Sequence, residues 1–273
     1  MKAPALRADL ALLHAVQAIV REAGALVLEV YRQPFEATRK ADGSPVTEAD
    51  RLAEAHIVPA LHALDAALPV VAEEAFARGE VPAVGARFWL VDPLDGTREF
   101  LARNDEFTVN VALVENGEPT LGVVYAPALD RLFGGVVGEG AWQEQERAGS
   151  RTPLAVRALP REGATVALSR SHLNAATREW LRGRAVARRV QAGSSLKFGL
   201  IAAGEADWYP RLGRTMEWDT AAGQAVLRAA GGQVTTLDGA VLRYGKPGFE
   251  NGDFFAFGSI GLGGLGKPGA SAA

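Results

Sequence analysis

Residues 88–97, FWLVDPLDGT, run four apolar side chains straight into Asp92 and Asp95, with Pro93 between them and Gly96 behind. Such an apolar run reads as a buried strand. Pro93 and Gly96 argue against a helix through DPLDG, so both aspartates leave the strand on a tight loop. Neighbouring carboxylates raise each other's pKa unless a cation supplies the missing charge. A surface turn rich in Asp, Pro and Gly is the competing reading of this stretch alone.

The surrounding pattern is α/β. Apolar residues at helical spacing predict a long amphipathic helix over 9–33, and Thr47 reads as the N-cap of a second over 48–66, with Pro59 inside it. KADGSP, residues 40–45, is turn chemistry. Strands follow at 69–72, 88–91, 107–115, 119–125 and 131–137; Thr108 and Asn110 alternate with apolar neighbours, as in a sheet with one buried face. The second half reads strand 165–168, helix 173–182, strand 187–191, helix 194–204, strand 206–211, helix 219–230 and strand 232–236. Helices therefore cover sheets on more than one side. The irregular stretch 145–160 is the expected seam. It divides an N-terminal α+β half, 1–150, from a C-terminal α/β half, 151–260; a flexible glycine-rich tail occupies 261–273.

Composition narrows the function. The chain has 273 residues, 48% hydrophobic, enough for one large domain or two packed halves. It contains no cysteine, which excludes disulfides, zinc–thiolate sites, iron–sulfur clusters and cysteine nucleophiles. A net charge of −3 offers no overall basic field for nucleic acid or an anionic membrane. Neither a secretory signal nor a membrane-length uncharged stretch is expected, so the default is a cytoplasmic protein. The arginine-rich run 178–189 reads as a solvated helix face or a rim that steers an anion.

Three further acidic clusters accompany DPLDG. VVAEEA ends a strand in Glu73 and Glu74, VTEAD presents Thr47 and Asp50, and EWDTAAG places Asp219 at a helix start. Hard oxygen ligands of this kind suit Mg2+, which keeps several waters and needs few carboxylates. Two ions about 3.5–4 Å apart are a familiar arrangement for phosphate-ester hydrolysis. Gly96 and Thr97 would then offer backbone N–H groups to the phosphate.

WLVDPLDGT (89–97) resembles the signature of the inositol monophosphatase-like, lithium-sensitive, Mg2+-dependent phosphatases. Trp218-Asp219-Thr220-Ala221-Ala222-Gly223 resembles their second signature, and the likeness spans roughly residues 8–258. KADGSPVTEAD, DPLDGTREFLARNDEFTVN, SRSH, and GSSLKF followed by DWYPRLGRTMEWDTAAG are most similar to the CysQ-type 3'(2'),5'-bisphosphate nucleotidase branch. The resemblance implies a layered αβαβα sandwich of the inositol monophosphatase/fructose-1,6-bisphosphatase type. It also implies two or three Mg2+ ions. Glu73, Asp92 and the Leu94 carbonyl would hold one, and Asp92, Asp95 and Asp219 a second, with a weaker third near Glu73. Asp50 and Thr97 would orient the attacking water, Asp50 taking its proton through the threonine hydroxyl. Glu74 would orient its neighbours.

Relatives that act on inositol phosphates carry a glutamate where DWYPR has Arg211. An arginine suits a phosphate better than a pair of neutral hydroxyls. Lys197 adds a second cation, Ser194 a donor, and His172 a group that can stack on or bond to a base or ribose; Gly96, Thr97 and Asp219 complete the expected substrate contacts. The expected substrate is a small molecule with two separated phosphates, such as adenosine 3',5'-bisphosphate or its phosphosulfate form. Hydrolysis to AMP would recycle the by-product of sulfate activation. No nucleic acid or membrane span enters this reading, and a monomer fits the branch. The alternatives are the same chemistry on inositol monophosphate or fructose 1,6-bisphosphate, or a non-catalytic metal-dependent scaffold. Arg98 stands where this branch often has lysine, which keeps the charge.

Overall fold

The computed structural model describes residues 6–39, 45–145 and 147–259; residues 40–44 of the turn expected over 40–45, and the glycine-rich tail, lie outside the described residues. Helix α1 (Leu10–Arg32) is capped by Asp9, whose side chain accepts from the Leu12 amide at 2.9 Å. Buried Leu13, Val16, Val20, Ala23 and Val27 form one stripe. A hairpin of β1 (Ala37–Arg39) and β2 (Pro45–Thr47) leads into α2 (Glu48–Leu64). Thr47 and Asp50 form a capping box there: Thr47 Oγ1 accepts from the Ala49 amide at 3.2 Å, and Asp50 Oδ2 accepts from the Thr47 amide at 2.7 Å. The helix continues past Pro59 to Leu64.

The first sheet contains β3 (Val70–Ala72), β4 (Arg87–Asp95), β5 (Thr108–Glu115), β6 (Glu118–Ala126), β7 (Arg131–Val136), β8 (Gly140–Gln145) and β9 (Ser150–Pro153). Its strands lie in chain order, β3 parallel to β4 and every later neighbour antiparallel. Two short helices extend strand ends: α3 (Glu73–Ala77) follows β3, and α4 (Thr97–Leu101) follows β4. The second half supplies β10 (Ala164–Ser169), α5 (Ala175–Trp180), β11 (Val186–Ala192), α6 (Leu196–Ala202), β12 (Trp208–Arg211), β13 (Thr215–Met216), α7 (Ala221–Ala229), β14 (Gln233–Thr236), β15 (Glu250–Asn251) and β16 (Phe254–Phe257). Its five-stranded sheet runs β11-β10-β12-β16-β14, while β13 and β15 make a separate ribbon.

Three apolar clusters separate five layers. Helices α1 and α2 pack on one face of the first sheet through Val16, Ile57, Trp89 and Val111. Helices α6 and α7 lie between the sheets, joining Phe198 and Val226 to Phe133 on one side and Phe254 on the other. Helix α5 covers the outer face of the second sheet through Trp180, Val166 and Phe255. This is the αβαβα sandwich that the resemblance implies.

Several details depart from the sequence reading. Strand β5 is buried on both faces: Val109, Val111 and Leu113 enter one core, Ala112 and Val114 the other. Thr108 and Asn110, 0% and 1% exposed, therefore point into the interior between the sheets, not to solvent. The stretch expected to be irregular contains β9, an edge strand whose SRTP sequence lacks any apolar alternation. The arginine-rich run is not one helix face. Helix α5 ends at Trp180, Arg184 stacks 3.9 Å from the Trp180 ring centre, and Arg188 and Arg189 are exposed on the edge strand β11. Helix α1 has the length and apolar content to cross a membrane, although Arg21 and Glu22 interrupt it, and its apolar stripe is buried against α2 and the sheet.

Gly122 sets how closely α7 approaches the first sheet: a Cβ there would sit 2.4 Å from the Ala222 carbonyl oxygen and 2.8 Å from the Ala225 Cβ. Gly122→Ala is expected to cost about 1–3 kcal/mol, lowering the thermal midpoint by about 2–4 °C per kcal/mol. An unchanged midpoint in a calorimetric scan would contradict this packing.

Candidate active site

Strand β4 is not regular where the aspartates occur. Asp92 pairs with Asn110 and Asp95 with Thr108, so three steps along β4 match two along β5. Side chains alternate along a strand, and residues three apart would face opposite sides. The one extra residue is a bulge that returns Asp95 to the face of Asp92. The loop expected after the strand is thus a bulged continuation of it, with Leu94 turned into the α1–α2 core. Gly96, at φ 87°, turns the chain into α4; a Cβ there would lie 3.1 Å from that of Ser194.

A cavity of about 290 Å³ opens at this turn. Glu73, Asp95 and Asp219 line its acidic side, with Gly96 and Thr97 at the turn itself. Arg98, Lys197, Arg211 and Arg214 supply cations, and His172, Ser194 and Tyr209 fill in between. Nine expected site residues therefore share one cavity. Asp50, Asp92 and Leu94 do not line it; they are 2%, 1% and 1% exposed, behind its wall.

The electrostatics are those of an acid cluster short of positive charge. Burial, then the charges of Asp95 and Glu73, push the Asp219 carboxyl well above its usual range. Burial raises Asp95 as well, opposed by Lys197. Asp50 is raised to about 7, mainly by burial against the hydrogen bonds from Thr47, with Glu74 and Glu73 adding to the shift. Among the described residues no three His, Cys, Asp or Glu side chains stand close enough to chelate an ion unaided. The donor set still fits Mg2+, which needs one or two carboxylates per ion and keeps waters for its other positions.

Hydrogen bonds tie the acidic turn to the second half. Ser195 Oγ lies 2.8 Å from Asp95 Oδ2 and 2.6 Å from the Asp219 carbonyl, and it accepts from Asn110 Nδ2 at 3.0 Å. The Met216 amide donates to Asp219 Oδ2 at 2.8 Å. Asp50 is turned toward Thr47, whose hydroxyl donates to its Oδ2 at 2.7 Å, whereas Thr97 Oγ1 donates to the Leu94 carbonyl at 3.4 Å. The expected Thr97-to-Asp50 link is thus replaced by a capping-box bond, because Asp50 sits at the third position of α2.

On the basic side, Lys197 is only 2% exposed and its Nζ donates to the Ala192 carbonyl at 3.3 Å and to the Ser194 carbonyl. Burial lowers its pKa to about 8, against the pull of Asp95. Ser194 adopts φ 43°, and its Oγ, like Arg211 Nε, is buried without a hydrogen-bond partner. Both atoms are suited to meet a ligand. His172 Nε2 lies 3.3 Å from Arg98 Nη1. Burial, then Arg211 and Arg98, push His172 down to about 4, so it is neutral near pH 7. Ser195, Asn110, Tyr209 and Arg214 were not named as site residues from the sequence; Ser195 adjoins Ser194 in GSSLKF, and only the left-handed turn at Ser194 sends the two hydroxyls different ways.

The bulged acidic strand end, the helix that begins beyond Asp219 and the two stacked sheets define a layered αβαβα fold with an acid-lined cavity between its sheets. The sequence profile of the inositol monophosphatase family matches residues 10–255, and the chain belongs to that family. It is 45% identical over 229 residues to the Escherichia coli (strain K12) protein named 3'(2'),5'-bisphosphate nucleotidase CysQ, covering 83% of this chain and 91% of that one. The Salmonella typhimurium protein of the same name is 45% identical over 236 residues, covering 85% and 94%. Among solved structures, CysQ from Bacteroides thetaiotaomicron superposes with a TM-score of 0.75 at 35% identity, covering 91% of this chain and 97% of that one. The Thermotoga maritima IMPase gives 0.72 at 27% identity, covering 88% and 89%.

A carboxyl that binds its proton more tightly folded than unfolded stabilises the protein at low pH, and that contribution is lost as pH rises through the folded value. Without divalent ions, Asp219 is therefore destabilising at neutral and higher pH. Asp219→Asn, stripped with EDTA, is expected to melt above the parent chain, with a gap that is wider at pH 8 than at pH 5. An equal gap at both values in thermal melts would contradict the raised pKa.

Proposed function

We propose that the protein is a Mg2+-dependent phosphatase that removes the 3'-phosphate of adenosine 3',5'-bisphosphate, with the phosphosulfate form as a second substrate. The observation that carries this reading is that one cavity is lined both by the carboxylates Glu73, Asp95 and Asp219 and by the cations Arg98, Lys197, Arg211 and Arg214. An acid cluster alone suits one phosphate held through cations. The additional cations suit a second phosphate that remains on the product. The relatives named 3'(2'),5'-bisphosphate nucleotidase CysQ, at 45% identity, support the same choice over inositol monophosphate or a sugar bisphosphate.

Glu73, Asp92, the Leu94 carbonyl, Asp95 and Asp219 are the proposed Mg2+ ligands, for two or three ions. When bound, Mg2+ supplies the charge that neutralises the phosphoryl oxygens and lowers the pKa of water. The chain's own part is to place and orient. The Thr97 hydroxyl spends its proton on the Leu94 carbonyl, which leaves its oxygen free to accept from the attacking water. Asp50, raised to about 7, has the basicity of a proton acceptor near neutrality, and the proton reaches it only if the Thr97 hydroxyl turns from the Leu94 carbonyl toward Asp50. Ser194 and Arg211 offer donors to the distal phosphate, and neutral His172 presents its ring to the base or ribose. The proposed setting is the cytoplasm, in the recycling of the nucleotide by-product of sulfate activation.

Phosphate release with Mg2+ across adenosine 3',5'-bisphosphate, inositol 1-phosphate and fructose 1,6-bisphosphate tests the substrate. The nucleotide is expected to give the highest kcat/KM, and preference for either of the others overturns the reading. Asp95→Asn is expected to reduce kcat by at least about a hundredfold with the fold intact by circular dichroism. EDTA should abolish turnover and added Mg2+ restore it, while activity retained in EDTA would remove the metal assignment.

A further inference from the structure

Two segments bring His172, Ser194 and Lys197 to the cavity: residues 169–172, which end in His172, and the turn at 192–197, which carries Ser194 and Lys197. Both are gripped by a single carboxylate from the opposite half of the molecule. Glu106 Oε1 and Oε2 accept from Arg170 Nη2 at 2.6 Å and Arg170 Nε at 2.7 Å, a bidentate pair. Glu106 Oε2 also accepts from the Gly193 amide at 2.8 Å. Gly193 is pressed onto that site, since a Cβ there would lie 2.5 Å from the Glu106 carbonyl oxygen and 2.5 Å from Glu99 Cγ. The next residue is Ser194, held in a left-handed conformation that a serine adopts only when its surroundings enforce it.

Glu106 is itself firmly placed. Between α4 and β5 the chain takes left-handed conformations at Arg103 and Asp105. Tyr31 donates its hydroxyl to Asp105 Oδ1 at 2.8 Å, Arg103 Nη2 donates to the Gln33 carbonyl at 2.7 Å, and Asn104 Oδ1 accepts from the Glu106 amide at 3.1 Å. The end of α1 thus fixes the segment from one side, and Arg170 and Gly193 fix it from the other. Glu106 does not line the cavity. An ordinary part-exposed ion pair stabilises by little, but one that also orders a backbone amide beside a strained turn sets geometry.

We propose that Glu106 is a positioning residue for substrate specificity. Its carboxylate, acting through Arg170 and the Gly193 amide, holds His172, Ser194 and Lys197 at the distance from Asp95 that a second phosphate requires. The proposal rests on the bisphosphate reading of the cavity. A glutamine keeps the shape but offers one acceptor oxygen and turns an N–H2 toward groups that are all donors.

The test uses the full chain with Mg2+, comparing adenosine 3',5'-bisphosphate with 3'-AMP, which lacks the distal phosphate. Glu106→Gln is expected to raise KM for the bisphosphate about tenfold with kcat within about twofold, and to leave kcat/KM on 3'-AMP within about twofold. Glu106→Asp, which keeps the charge, should recover part of the loss. Should Glu106→Gln fail to fold, Arg170→Lys, which breaks the bidentate pair, is read the same way. An unchanged KM overturns the proposal, as does an equal loss on both nucleotides, the mark of a general packing role. Turnover of the bisphosphate by the parent chain tests the substrate reading separately; the ratio of variant to parent KM tests Glu106.

Discussion

One extra residue in β4 governs the site. Without the bulge between Asp92 and Asp95, strand alternation would send these carboxylates to opposite sides of the sheet, one into the α1–α2 core. With it, both face the layer between the sheets, where α6 and α7 begin. The same bulge turns Leu94 into the apolar core, where it anchors the turn. Gly96 then brings the chain against Ser194 of the second half. Burial of several like charges at one place is costly, and the rest of the site answers that cost with hydrogen bonds from Ser195 and Met216 and the nearby charge of Lys197.

The halves of the molecule divide the chemistry between them. Asp50, Glu73, Asp92 and Asp95 come from the first sheet and its helices; Lys197, Arg211, His172 and Asp219 come from the second half. Neither set forms a cavity alone. Contact between them runs through Ser195 with Asp95, Glu99 with Ser171, and Glu106 with Arg170 and Gly193. Other polar contacts between the halves, such as Arg131–Glu205 and Arg228–Glu118, accompany them, and polar bonds fix angle and register in a way that apolar burial does not. The geometry of the cavity therefore depends on a few carboxylates that are not themselves proposed to touch the substrate.

Much of the fold was legible in the sequence because most elements carry a strong period or cap. The stripe of α1, the Thr47 cap of α2 and the apolar runs of β4 to β7 state their own structure. Among the elements missed, β9 is polar and half-paired, and α3, α4 and β13 are too short to show a period; β8 and β16 were missed too, although Phe254–Phe257 is a buried aromatic run. The reading of Thr108 and Asn110 as a polar outer face failed for a different reason. Alternation marks two faces, but burial of both is decided by what the second half stacks on the sheet.

By itself the sequence determined the acidic strand end, the order of elements and the residue types available for chemistry, since each depends on neighbours within a few positions. Tertiary structure alone decided which of these residues meet. Lys197 lines the cavity as a cation, and only the fold shows that its ammonium also bonds to the backbone carbonyls of its own turn. Asp50 appeared to be coupled to Thr97, yet it caps its own helix with Thr47. Glu106 carried no signal at all. Its partners lie 64 and 87 residues away, and such pairings follow from how two sheets stack across a layer of helices, which no local pattern encodes.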